Sequence, residues 1–92
     1  MLKAFGKDQT KKLQARLDDL QAALTLEVMR PLPGRCHELK GDRKGQLALS
    51  LKEPYRLIFE PANDPIPTKP DGGLDWPSVT EIRILEVVDY HE

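Results

Sequence analysis

The run Pro31-Leu32-Pro33-Gly34 cuts the chain into two unlike halves. Two prolines and a glycine so close together remove backbone donors and favour a turn, so no helix continues through them. Before this run the apolar residues recur with a helical period, and after it with a period of two. Leu13, Leu17, Leu20 and Leu24 fall at i, i+4, i+7 and i+11. That spacing predicts an amphipathic helix over 8–24, with Asp8 as its N-cap and Lys11, Lys12, Arg16, Asp18 and Asp19 on its other faces. Leu26 to Met29 extends it by one turn at most. Beyond the break, Leu47, Leu49 and Leu51 share one face of an alternating run, and Tyr55 to Glu60 follows after the link Lys52-Glu53-Pro54. These two runs predict an antiparallel hairpin.

Arg35 to Leu39 reads as a further short strand, and Gly41 to Gly45 as the turn leading out of it. Thr80 to Tyr90 is β-rich, but Ile82 and Ile84 have one parity while Leu85 and Val87 have the other. That slip predicts burial on both faces or a bulge near Leu85, which would re-aim Asp89-Tyr90-His91. Residues 61–78 hold five of the eight prolines together with Asp71-Gly72-Gly73, a long surface loop with Trp76 pinning part of it. The order is one helix and then three or four antiparallel strands, an α+β domain over residues 1–92.

A chain of 92 residues has room for one core and not two. The single Cys36 excludes an internal disulfide and fits a reducing compartment. No apolar run approaches the roughly 20 residues of a membrane-spanning helix, and Met1 to Gly6 lacks the long apolar stretch of a signal peptide. A cytoplasmic protein without membrane contact is expected.

The net charge of −1 conceals an uneven distribution. Residues 1–29 total +1, residues 30–56 total +4 and residues 57–92 total −6. A basic middle held apart from an acidic end can form a local phosphate-binding face, because affinity follows the field at the contact surface.

Both histidines, His37 and His91, lie at strand edges or ends, and His37 precedes the basic turn Lys40-Gly41-Asp42-Arg43-Lys44-Gly45. RNA cleavage without a metal needs a base for the 2′-hydroxyl proton, an acid for the leaving oxygen and cations for the charge building on phosphate. Imidazole titrates near neutrality, a tyrosine hydroxyl donates or accepts, and arginine forks onto phosphate oxygens. His37, Tyr90, His91, Lys40, Arg43, Lys44 and Arg56 are the residue types such a site uses. Plain alternatives stand beside each: Asp89 ends a strand, Tyr90 is a core aromatic with a wet hydroxyl, and Arg56 is an exposed strand residue or half of an ion pair. Cys36 and His37 cannot easily share a zinc ion, since neighbouring strand residues point to opposite faces, and Cys36 reads as a small buried hydrophobe.

The ordered pattern Leu32-Pro33-Gly34-Arg35-Cys36-His37-Glu38-Leu39-Lys40-Gly41-Asp42-Arg43-Lys44-Gly45-Gln46, then Pro54-Tyr55-Arg56-Leu57-Ile58-Phe59, then Val88-Asp89-Tyr90-His91, resembles HigB-type toxins of the RelE/ParE superfamily. It is most similar to the branch often labelled "killer suppression protein", which shares a Pro-rich loop like Pro61 to Trp76 with its Gly-Gly-Leu-Asp-Trp run. The resemblance spans about residues 4–92. It implies a RelE-like α+β fold and a ribosome-dependent mRNA endoribonuclease, the toxin of a toxin–antitoxin pair, with no cofactor. The implied partners are the ribosome, mRNA and a HigA-like helix-turn-helix antitoxin. The implied catalytic residues are His37, Asp89, Tyr90 and His91, with Lys40, Arg43, Lys44 and Arg56 on phosphate. A non-catalytic protein of the same fold, titrating antitoxin or inhibiting gyrase as ParE proteins do, is the alternative. Family members begin with a strand and a first helix, whereas Lys3 to Lys7 resembles the link into their second helix. An exposed sheet edge is therefore expected, and with it pairing to another chain.

Overall fold

A computed structural model describes residues 2–89 and gives a small α+β domain. Helix α1 (Leu2–Ala22) is followed by a 3₁₀ turn at Leu26–Met29 and by strands β1 (His37–Glu38), β2 (Leu47–Ser50), β3 (Tyr55–Pro61) and β4 (Ile82–Asp89). The strands form one antiparallel sheet in the order β1-β2-β3-β4. Among the described residues each strand thus pairs only with its neighbours in the chain. Among the described residues no helix is long and apolar enough to cross a membrane.

The helix differs from the sequence expectation at both ends. Gly6, at φ 76° and ψ 169°, breaks the helical path, a conformation glycine adopts without a Cβ penalty. Asp8 is therefore inside the helix rather than capping it, and its carboxylate pairs with Lys52 Nζ at 3.2 Å. At the other end the helix stops at Ala22, leaving Leu24 84% exposed and outside the apolar stripe.

Leu13, Leu17 and Leu20 pack on a cluster formed by Leu26, Met29, Leu47, Leu49, Leu57, Phe59, Trp76 and Val79. Burying each such side chain contributes roughly 1.5–3 kcal/mol. Two polar residues, Gln9 and Arg16, lie on the same stripe, spaced like its leucines, and are also buried. Gln9 clamps the backbone of the β2–β3 turn: its Nε2 donates to Lys52 O at 2.5 Å and its Oε1 accepts from Lys52 N at 3.1 Å. Arg16, expected on another face of the helix, donates to Pro33 O at 2.9 Å and to Asp19 Oδ2 at 2.9 Å. These bonds satisfy groups whose burial would otherwise be costly.

The β2–β3 hairpin has the expected register, with Leu49 opposite Leu57 and Leu47 opposite Phe59. The parity slip in the last strand is a bulge. Ile58 pairs with Glu86 and Phe59 with Ile84, so Leu85 is the extra residue. The strand expected over Arg35–Leu39 is shorter, limited to His37–Glu38. The proline-rich loop has order of its own: Thr68 bridges Leu74, and Lys69 N donates to Gly73 O at 2.7 Å.

Candidate catalytic face

The face of the sheet away from α1 is assembled by alternation. His37, Ala48, Ile58 and Glu86 form one row of the register, and Ser50, Arg56 and Val88 form the next. Directly opposed residues on antiparallel strands project to the same side. Ala48 and Ile58 are fully buried there, and Leu39 and Val88 pack against them. Charged groups surround this apolar floor.

Arg43 ends a 3₁₀ turn after β1 and reaches across to β4, where its Nη2 donates to Glu86 Oε2 at 3.0 Å. Its Nη1 donates to Gln46 Oε1 at 2.9 Å. The Arg43–Glu86 pair thereby ties the turn between β1 and β2 to β4. Arg56, buried on β3, donates from Nη2 to Glu53 Oε1 at 3.2 Å and from Nη1 to Tyr55 O at 3.0 Å. Beyond them Arg83 pairs with Glu60 at 2.6 Å.

The backbone sets the orientation of His37. Arg35 sits in the left-handed region at φ 50°, where a non-glycine residue is uncommon. Its carbonyl lies 2.7 Å from His37 Nδ1. A carbonyl can only accept, so Nδ1 carries the proton and Nε2 is the basic nitrogen of the neutral ring. Among the described residues the face therefore holds one imidazole with a fixed tautomer and three guanidinium groups, those of Arg43, Arg56 and Arg83, each against a carboxylate. A phosphate arriving here has to compete with Glu86 and Glu53.

The residues singled out from sequence are divided by the fold. His37, Arg43 and Arg56 share the far face. Lys40 and Lys44 line a groove of about 580 Å³, with Leu39, Ile66, Leu74 and the Gly72-Gly73 turn on its walls. Asp89 is opposite Tyr55 in the register, so alternation puts it on the helix side rather than beside His37. Tyr90 and His91 lie outside the described residues. Cys36 packs in the main core, where burial pushes its thiol up to about 12, Arg30 lowering and Glu38 raising it to smaller extents. A thiol so placed is a poor nucleophile.

Glu86, Glu53 and Gln46 were not singled out from sequence, although they hold both arginines. The signal for Glu86 is the bulge, which turns it to the side of Ile58 and Arg83. Compared with protein-family models, with curated proteins and with solved structures, the chain finds no match in any of the three.

Proposed function

We propose that this chain is a toxin of the RelE/HigB type that cleaves mRNA on the ribosome in the cytoplasm. The observation that carries this reading is the shared face of His37, Arg43 and Arg56, with Nε2 of His37 as its basic nitrogen. The resemblance of the sequence motifs supports the RelE-like fold, and one helix packed on an antiparallel sheet is compatible with it.

In this reading a 2′-oxygen attacks the adjacent phosphorus as its proton passes to a base. The bond from phosphorus to the 5′-oxygen breaks, an acid protonates that oxygen, and a 2′,3′-cyclic phosphate remains. His37 and His91 serve as the base and acid. Arg43 and Arg56 stabilise the charge growing on phosphate, Lys40 and Lys44 hold flanking backbone, and Asp89 and Tyr90 orient the terminal histidine or a nucleotide. A helix-turn-helix antitoxin neutralises the protein, and no cofactor enters the scheme.

The pairing of Arg43 with Glu86 and of Arg56 with Glu53 favours a second reading, a non-catalytic protein of this fold that binds antitoxin or gyrase. Primer extension on a defined mRNA translated by purified ribosomes separates the two. Cuts within codons that require the ribosome, and that vanish with His37→Gln and His91→Ala while folding is retained, establish the nuclease. A folded wild-type protein that makes no cuts overturns the nuclease reading and favours the binding protein.

A further inference from the structure

We infer that the groove lined by Lys40, Lys44, Glu38 and the tip of the proline-rich loop binds a guanine nucleotide, with Glu38 reading the base and the two lysines holding the phosphate. The inference does not depend on cleavage. The groove, of about 580 Å³, falls in the range of small-molecule sites, roughly 300–1,000 Å³. Its loop wall has fixed geometry, since Thr68 bridges Leu74 and Lys69 N donates to Gly73 O at 2.7 Å. A smaller recess of about 70 Å³ shares Glu38, Ile66 and Leu74 with it and adds Leu47 and Pro61 to the apolar side.

The polar groups in this groove are uncommitted. Among the described residues neither Lys40 nor Lys44 has an ion pair, whereas Arg43 between them is engaged by Glu86. An incoming phosphate therefore displaces no carboxylate from these ammonium groups. Glu38 Oε2 accepts from Trp76 Nε1, which fixes the carboxylate in place. Its Oε1 has no hydrogen-bond partner among the described residues. The ligand thus meets two cations, an apolar wall of Leu39, Ile66 and Leu74, and an anchored acceptor.

These groups select the ligand by elimination. An aliphatic acid satisfies the lysines and the apolar wall but brings no donor to Glu38. A nucleotide brings a phosphate, a flat base that rests on apolar side chains, and an edge that can be read by hydrogen bonds. A carboxylate only accepts. Guanine presents two adjacent donors, N1–H and the N2 amino group. Adenine and cytosine each place an acceptor beside their amino group, and uracil sets its one N–H between two carbonyls. Glu38 therefore favours guanine over the other three bases.

Isothermal titration calorimetry of the full chain with GMP, AMP, CMP and UMP tests this, with circular dichroism reporting the fold. GMP is expected to bind at least about tenfold more tightly than the others. Glu38→Gln, whose amide oxygen can still accept from Trp76, turns a donor towards the base and is expected to abolish that preference. Lys40→Gln with Lys44→Gln is expected to weaken all four nucleotides by a similar factor and to leave their order unchanged. A hexaribonucleotide with one guanosine among uridines separates the two sources of the ligand. Binding no tighter than GMP identifies a free nucleotide, and tighter binding identifies a guanosine within RNA. Absence of binding to both GMP and the hexanucleotide overturns the inference. So does equal affinity for all four bases, or a guanine preference that survives Glu38→Gln. None of these titrations reads cleavage, so the inference and the nuclease reading stand or fall separately.

Discussion

Trp76 Nε1 donates a hydrogen bond to Glu38 Oε2 at 2.9 Å, tying the end of the long proline-rich loop to β1, the strand that carries His37. The Arg30 guanidinium lies 4.0 Å from the centroid of the same indole ring. Trp76 is thus held at its polar edge by a carboxylate and over its face by a cation. The short strand β1, with only two residues, owes its position in part to this loop.

Replacing Glu38 by Ala leaves a buried indole N–H without that acceptor. The expected loss is about 1–3 kcal/mol of folding stability. Glu38→Gln, which keeps an acceptor oxygen, is expected to lose less. Urea denaturation followed by Trp76 fluorescence measures both, and equal midpoints for all three proteins would contradict this account.

Gly34 stands at φ +114°, and an added Cβ would meet Leu49 Cδ2 at 3.0 Å and Arg16 Cδ at 3.1 Å. Its carbonyl also accepts from Ser50 N at 2.6 Å, so the turn cannot swing away without losing that bond. Gly34→Ala is expected to cost about 1–3 kcal/mol through backbone strain, and more through crowding of Leu49. Thermal unfolding measured by calorimetry checks the sign and the size.

Cys36 gives a pH dependence at the alkaline end. Its thiol is raised from 9.0 to about 12 in the fold, chiefly by burial, so the folded state holds the proton more tightly than the unfolded chain. The resulting stability is fully present below pH 9 and is lost as pH rises from about 9 towards 12. The stability difference between wild type and Cys36→Ala should therefore shrink by about 1.4 kcal/mol per pH unit in that window. A difference constant over the same range would show that the thiol is not desolvated.

If Arg43 meets phosphate on the far face, its removal lowers the salt dependence of RNA binding. Arg43→Gln is expected to reduce the slope of log affinity against log salt by about 0.7 for single-stranded RNA. Fluorescence anisotropy at several salt concentrations gives the slope directly. An unchanged slope would mean that Glu86 keeps this guanidinium for the protein alone.

The period of the leucines made the helix and the β2–β3 hairpin legible, and the parity slip at Leu85 gave away the bulge. Gln9 and Arg16 were illegible because their burial depends on carbonyls at Lys52 and Pro33, far along the chain. His37, Arg43 and Arg56 were legible as residue types. Their carboxylate partners were less so, since contact between Arg43 and Glu86 follows from strand order and a bulge rather than from local pattern. The groove that Lys40 and Lys44 line with Ile66 and Leu74 is likewise a matter of tertiary placement.

The meander topology also implies an order of assembly. Joining β2 to β3 closes a connection of four residues, 51–54, whereas joining β3 to β4 closes one of twenty, 62–81. The longer closure costs about 1.4 kcal/mol more in chain entropy. The central hairpin is thus the cheaper nucleus, and β4 docks late. Glu86 travels with β4, so Arg43 and the far face acquire their final charge balance only as the last strand arrives.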